Sequence, residues 1–171
     1  MLTTTCSLWF ALMAGFFFAF AAVVMPGLDR LPPAEAAVAM QAVNAAVANP
    51  LFALGFWGAV GLAVVALPTA LLGRAPGWSW LLAAAGCYLA GVLAVTAAGN
   101  VPLNRELAVI AGPEALRAAW PGYAADWGRL NGLRTIAALT AAALALRALG
   151  PSGAGRDRQD RPGQAGRPQS P

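Results

Sequence analysis

The chain has 171 residues, 59% of them hydrophobic and only 11% charged, and its mean hydropathy is +0.63. A soluble domain carries about 25% charged residues, so this is the composition of a membrane protein. Arginines outnumber acids 11 to 7 and histidine is absent, which removes the usual ligand of haem, non-haem iron and catalytic zinc sites.

Four apolar stretches are legible in chain order, at residues 8–25, 51–72, 78–98 and 130–149. Each approaches the ~20 residues a helix needs to cross ~30 Å of hydrocarbon. Their Ala- and Leu-rich composition favours helices over a barrel. The first is preceded by no charged side chain in Met1 to Ser7 and is longer than a signal-peptide core, so an uncleaved spanning helix is expected there. A rigid turn from Pro26 to Pro33 follows, then a short helix over 34–48 with Glu35 in its first turn and Met40, Gln41 and Asn44 along it. Asn49-Pro50 ends that helix and restarts the chain. Gly55, Gly58 and Gly61 in the second stretch, and Gly86 and Gly91 in the third, read as packing positions where helix backbones approach. Pro68 predicts a kink or an exit.

The second long connection spans 100–129. Pro102 suits a helix start with Leu103, Leu107 and Ile110 on one face, Gly112-Pro113 breaks it, and Pro121-Gly122 interrupts again. The expected fold is all-α: a four-transmembrane-helix bundle over residues 1–149, with two extramembrane helical connections capping one end. The tail, 150–171, is rich in Pro, Gly, Gln and Arg and is expected to be disordered. Its arginines, with Arg74 in the short turn, place both termini in the cytoplasm and the protein in the cell inner (plasma) membrane; Arg30, Arg105, Arg117 and Arg129 on the other side pull against that orientation. The pI near 10 has this topological explanation, and no nucleic-acid-binding motif accompanies it. Cys6 and Cys87 read as small packing residues.

One stretch stands apart. Asn100, Asn104, Trp120, Tyr123, Trp127, Asn131 and Arg134 concentrate polar and aromatic groups between apolar segments. On a helix at 100° per residue, Tyr123, Trp127, Asn131 and Arg134 fall within about 80° of one another. Plain readings accompany each. The aromatics, with Trp78 and Trp80, fit an interfacial belt. Arg134 fits an internal ion pair or carbonyl clamp as well as a ligand contact. Asn100 and Asn104 fit helix caps, and Gln41 and Asn44 fit bonds to the neighbouring connection. With both connections over one end, the bundle acquires a pocket with an apolar floor and a polar roof, the usual form of a small-molecule site.

Met25-Pro26-Gly27-Leu28, Met40-Gln41-Ala42-Val43-Asn44, Asn49-Pro50, Asn100-Val101-Pro102-Leu103-Asn104, and Trp127 with Asn131 and Arg134-Thr135 resemble the anthrone-oxygenase-like family of small membrane proteins. The resemblance spans nearly residues 1–149. It implies oxidation of an anthrone to an anthraquinone by dioxygen with no bound cofactor or metal, on a hydrophobic aromatic substrate that partitions into the bilayer. Many members of that family carry a histidine where this chain has Gly132. The implied chemistry needs donors for a developing oxyanion, a base and a ring-shaped apolar pocket. Arg134, Asn131 and Asn104 are the candidate catalytic donors, and Trp127, Tyr123, Trp120, Asn100, Asn44 and Gln41 the candidate substrate contacts. Glu106, Asp126 and Tyr123 are base candidates, none singled out by its pattern. The alternative is a non-catalytic membrane protein that binds or carries a lipophilic small molecule, or a subunit of a membrane assembly.

Overall fold

The computed structural model describes residues 1–73 and 76–150. Arg74 and the arginines of the tail, on which the expected orientation rests, lie outside them. Among the described residues all regular structure is helical: α1 (Leu2–Leu28), α2 (Pro33–Ala46), α3 (Pro50–Gly73), α4 (Trp78–Ala108) and α5 (Pro113–Arg147). α1, α3 and α4 are long and apolar enough to cross a membrane. The second half of α5 is more polar, with Asn131, Arg134 and Arg147 among alanines and leucines.

α1 packs against α3 and α5, and α4 closes on the same two helices. Small residues make this possible. Ala59, Ala63, Ala66 and Ala70 recur at helical spacing on α3, facing Ala84 and Ala85 of α4 in one buried core. Lipid supplies no hydrophobic drive between helices, so close backbone approach and dispersion must hold them. Gly91 shows how tight the fit is, because a Cβ there would strike the Cβ of Ala137 on α5. Gly61 and Gly86 have open space instead, so the packing role belongs to some of the helical glycines and not to others. Phe10 and Tyr88 stack across the core at 4.4 Å and 15°. Both cysteines are free, with Cys6 Sγ near the Leu62 carbonyl and Cys87 Sγ near that of Ala137.

Three prolines that the sequence reads as breaks are passed by continuous helix. α1 widens into a π-helical turn at Phe20–Val24 just before Pro26, and α4 does so at Thr96–Asn100 just before Pro102. Proline lacks an N–H and its ring crowds the carbonyl four residues back; a widened turn relieves both problems and the helix runs on. α1 therefore reaches Leu28, into the first residues of the expected turn, and α4 reaches Ala108 without the expected new start. Pro121 lies on the exposed face of α5, as does Arg117, whose carbonyl loses its partner. The 100–129 connection is thus the overhang of two long helices joined by a short turn at Val109–Gly112.

α2 starts where expected, with Pro33 in its first turn and Glu35 favourably placed at the positive end of the helix. Asn49 serves both neighbours: its amide nitrogen donates to the Ala46 carbonyl at 2.7 Å and its side-chain oxygen accepts from the Phe52 N–H at 3.0 Å. It ends α2 and caps α3 at once. A second core joins α2 to the overhangs through Met25, Met40, Leu107, Leu116, Trp120 and Trp127. At the opposite end, Met1 to Thr3, Thr69, Trp78 and Ala148 gather around a small pocket. Gly77 adopts φ +82° there, and a Cβ on it would run into the Ala148 carbonyl.

Candidate active site

The polar stripe of α5 falls where the two cores meet. Trp127 belongs to the capping core, Ala137 and Ala138 to the alanine core, and Asn131 and Arg134 lie between them, both buried. Asn131 is held from two sides. Its amide nitrogen donates to the Phe17 carbonyl of α1 at 2.9 Å, and its side-chain oxygen accepts from Arg134 Nη2 at 2.9 Å. The Phe17 carbonyl only accepts and the guanidinium only donates, so the amide has one possible orientation.

Arg134 is 6% exposed. Nη1 reaches the Thr96 hydroxyl at 3.4 Å, the guanidinium carbon lies 4.6 Å from the Phe17 ring centre and 5.3 Å from that of Trp127, and Nε has no partner. An ion pair for this charge is missing among the described residues, where the salt bridges are Glu114–Arg117 and Asp126–Arg129 on the exposed surface. Asp29, Glu35 and Glu106 are exposed as well. A buried charge without a counter-ion is expensive unless dipoles and ring faces replace the lost water. Here neutral oxygens and two aromatic faces are what it has.

Beside Arg134 lies a cavity of about 270 Å³, just below the ~300–1,000 Å³ usual for small-molecule sites. Aromatic side chains from three helices form much of its wall: Phe16 and Phe20, Phe52, Phe56 and Trp57, and Trp127. The polar groups are Asn44, Thr96, Asn100, Asn104 and Arg134. Thr96 and Asn100 come from the π-helical stretch of α4 and Phe20 from that of α1, so the widened turns that accommodate the prolines also shape this wall. Asn100 is buried, donates its amide nitrogen to the Trp127 carbonyl at 3.3 Å, and leaves its oxygen without a partner. A wider recess of about 750 Å³ shares Asn44, Val47, Phe52, Trp57, Val101 and Asn104 with the cavity and continues past Gln41, Asn49 and Arg105.

Tyr123 stands behind the cavity. It accepts from Asn44 at 3.2 Å and donates to the Asn104 oxygen at 3.0 Å, tying α2 to α4 through α5. Burial pushes its pKa up to about 12, against a smaller opposing effect of the Asn44 hydrogen bond. The hydroxyl therefore stays protonated at neutral pH. Gln41 donates to the Leu107 and Ile110 carbonyls at 2.8 and 3.1 Å, where α4 ends and the Leu107 carbonyl also accepts from the Ile110 N–H at 3.2 Å; its amide nitrogen is engaged there and it lines only the outer recess. Trp120 packs in the capping core against Tyr123 and lines neither space. Of the nine residues proposed from sequence, Asn44, Asn100, Asn104, Trp127 and Arg134 line the cavity, Asn131 and Tyr123 position those that do, and Gln41 and Trp120 stand off.

Residues 37–144 match the family model described as anthrone oxygenase. The chain belongs to the anthrone oxygenase family. The matched stretch contains every polar residue of the cavity, while Phe16, Phe17 and Phe20 of α1 precede it. Neither a curated protein nor a solved structure matches the chain. For this family member, sequence reasoning missed Thr96 and the phenylalanines of α1 and α3. Thr96 had a signal, being the one hydroxyl between Tyr88 and Asn100. The phenylalanines had none, since a lipid-facing apolar helix contains them equally well.

Proposed function

We propose that the protein oxidises an anthrone-like aromatic substrate with dioxygen in the cavity beside Arg134, without a bound cofactor. The observation that carries this reading is a buried guanidinium, with no carboxylate partner among the described residues, on the wall of an aromatic cavity. Such a site favours a planar ligand bearing a negative oxygen. An anthrone reaches that state when its central methylene loses a proton, because the charge delocalises onto the ketone oxygen. The carbanion form then bonds to dioxygen. Protonation of the peroxide and loss of the remaining C–H proton break the O–O bond, leaving a second carbonyl and one water. Dioxygen takes four electrons, and one of its atoms stays in the quinone.

In this account Arg134 holds the developing oxyanion and Asn131 holds Arg134. Trp127 and Phe20 face the rings, Asn104 is a further donor, and Tyr123 fixes Asn104. The first proton passes to water, since no carboxylate among the described residues lines the cavity. The second half of α5 is a fourth span, completing a four-helix bundle whose N- and C-termini face the cytoplasm, and the substrate arrives from the bilayer. The same lack of a cavity base favours a second reading, a non-catalytic binder of a lipophilic aromatic anion. Oxygen uptake by the purified protein with a panel of anthrones separates the two. Turnover above the spontaneous rate that falls about 10²–10³-fold in Arg134→Ala supports the enzyme; saturable binding of anthrones without uptake supports the binder.

A further inference from the structure

Five buried side-chain polar atoms have no partner among the described residues, and three belong to residues on the cavity wall: Arg134 Nε, Trp127 Nε1 and Asn100 Oδ1. Buried polar groups without partners are rare, and each asks for an explanation. Two of these three are donors, which suits the oxygen already assigned to Arg134. The third is an acceptor, and nothing in that assignment uses it.

The orientation of Asn100 follows from chemistry. Its amide nitrogen lies 3.3 Å from the Trp127 carbonyl, which can only accept. The amide oxygen is therefore the free end, on a side chain 1% exposed. The position is also fixed from the backbone, because Asn100 closes the π-helical stretch before Pro102. The nearest hydroxyl-bearing residue on the same wall, Thr96, is already engaged with Arg134. Among the described residues the wall thus offers one fully buried acceptor without a partner.

We infer that Asn100 is a specificity-determining residue which requires a ring hydroxyl on the ligand, distinct from the oxygen that faces Arg134. The inference rests on the reading of this cavity as the site for an aromatic ketone. An unsubstituted ring or a methyl ether then leaves Asn100 buried and unpaired. A site built to bond a hydroxyl discriminates against analogues lacking it far better than an apolar site does.

The test uses anthraquinones, which already carry the second carbonyl and so report binding without turnover. Equilibrium binding to the full chain in detergent is measured for anthraquinone, for each monohydroxy isomer and for the matching methyl ethers, with the intact protein and with Asn100→Leu. The expected result is one hydroxy isomer binding roughly tenfold to a hundredfold more tightly than its ether and the parent. In Asn100→Leu that isomer drops to the parent's affinity while the parent is unchanged. Equal binding of hydroxy, ether and parent compounds by the intact protein overturns the inference, as when water alone fills the acceptor. A uniform loss for all ligands in the variant also overturns it, by showing a structural role. If Asn100→Leu fails to fold, the smaller change Asn100→Ala replaces it, and an unchanged isomer-to-ether ratio in that variant overturns the inference. Hydroxyl preference without oxygen uptake on the corresponding anthrones would uphold Asn100 and remove the oxygenase reading.

Discussion

The two cores of this molecule are built by opposite rules. In the alanine core Ser7 bonds to the Thr3 carbonyl of its own helix at 2.9 Å, as exposed Thr69 at that end of the molecule bonds to Val65 at 2.7 Å, and the Tyr88 ring stacks on Phe10 with its hydroxyl unpartnered among the described residues. Backbones approach until a single methyl matters, as at Gly91. Where the alanine core meets the capping core, polar side chains bond across helices, from Asn131 to α1, from Arg134 to α4, and from Tyr123 to both α2 and α4. There α1 and α4 carry π-helical turns, as α4 also does around Gly91 at Leu89–Ala94, but here polar atoms are left free beside an open volume. Tight packing holds the scaffold, and the under-satisfied layer above it is where a ligand is needed to complete the bonding.

The largest effect expected is at the centre of that layer. Arg134→Ala lowers turnover by about 10²–10³ while leaving the helices formed. Arg134→Lys recovers only part of the loss, since a compact ammonium cannot hold Asn131 and Thr96 and face the ligand together. Parallel loss of activity and folding in Arg134→Ala would mean that the layer is structural after all. Next comes the opposite core. Gly91→Leu forces α4 away from Ala137 and destabilises by about 1–3 kcal/mol, measured as a lower unfolding temperature in detergent, with the ligand affinity of the protein that remains folded unchanged.

Tyr123 gives a smaller effect with a distinct signature. Below pH 10 both the folded and unfolded chains hold the phenolic proton. Between pH 10 and about 12 the unfolded chain releases it and the folded chain keeps it, so stability falls as pH rises through that window. Tyr123→Phe removes its share of this fall and leaves Asn44 and Asn104 short of a partner, destabilising by about 1 kcal/mol at neutral pH. An unchanged alkaline slope in the variant would contradict the burial of the hydroxyl. The smallest effect is expected at the exposed acids. Glu106→Gln and Asp126→Asn leave turnover within about twofold and stability within about 0.5 kcal/mol; a large loss in either would restore a carboxylate base to the account.

Composition made the helical, membrane-type class legible, because hydropathy needs no tertiary information. The stripe from Tyr123 to Arg134 was legible too, since a continuous helix turns spacing into a shared face, and all four residues are buried. Pro26, Pro102 and Pro121 misled for one reason: local rules place a break at proline, but a π-helical turn or an exposed carbonyl satisfies the backbone without one. Gln41 was ambiguous because only the end of α4, 66 residues on, gives its amide an acceptor. The phenylalanines of α1 and α3 could not be sorted into lipid-facing and cavity-facing before helix rotation was known.

The central claim is that the cavity's unpaired charge receives a negative oxygen on an aromatic ring. Hydroxyanthraquinones change colour on ionisation, so a spectrophotometric pH titration of a dihydroxyanthraquinone bound to the full chain, with one hydroxyl for Asn100 and a second to ionise beside Arg134, tests that claim directly, with free ligand and the Arg134→Gln protein as references. The account predicts that the bound ligand ionises at lower pH than the free one, and that Arg134→Gln abolishes the shift. A ligand that ionises at the same or higher pH when bound to the intact protein would contradict it.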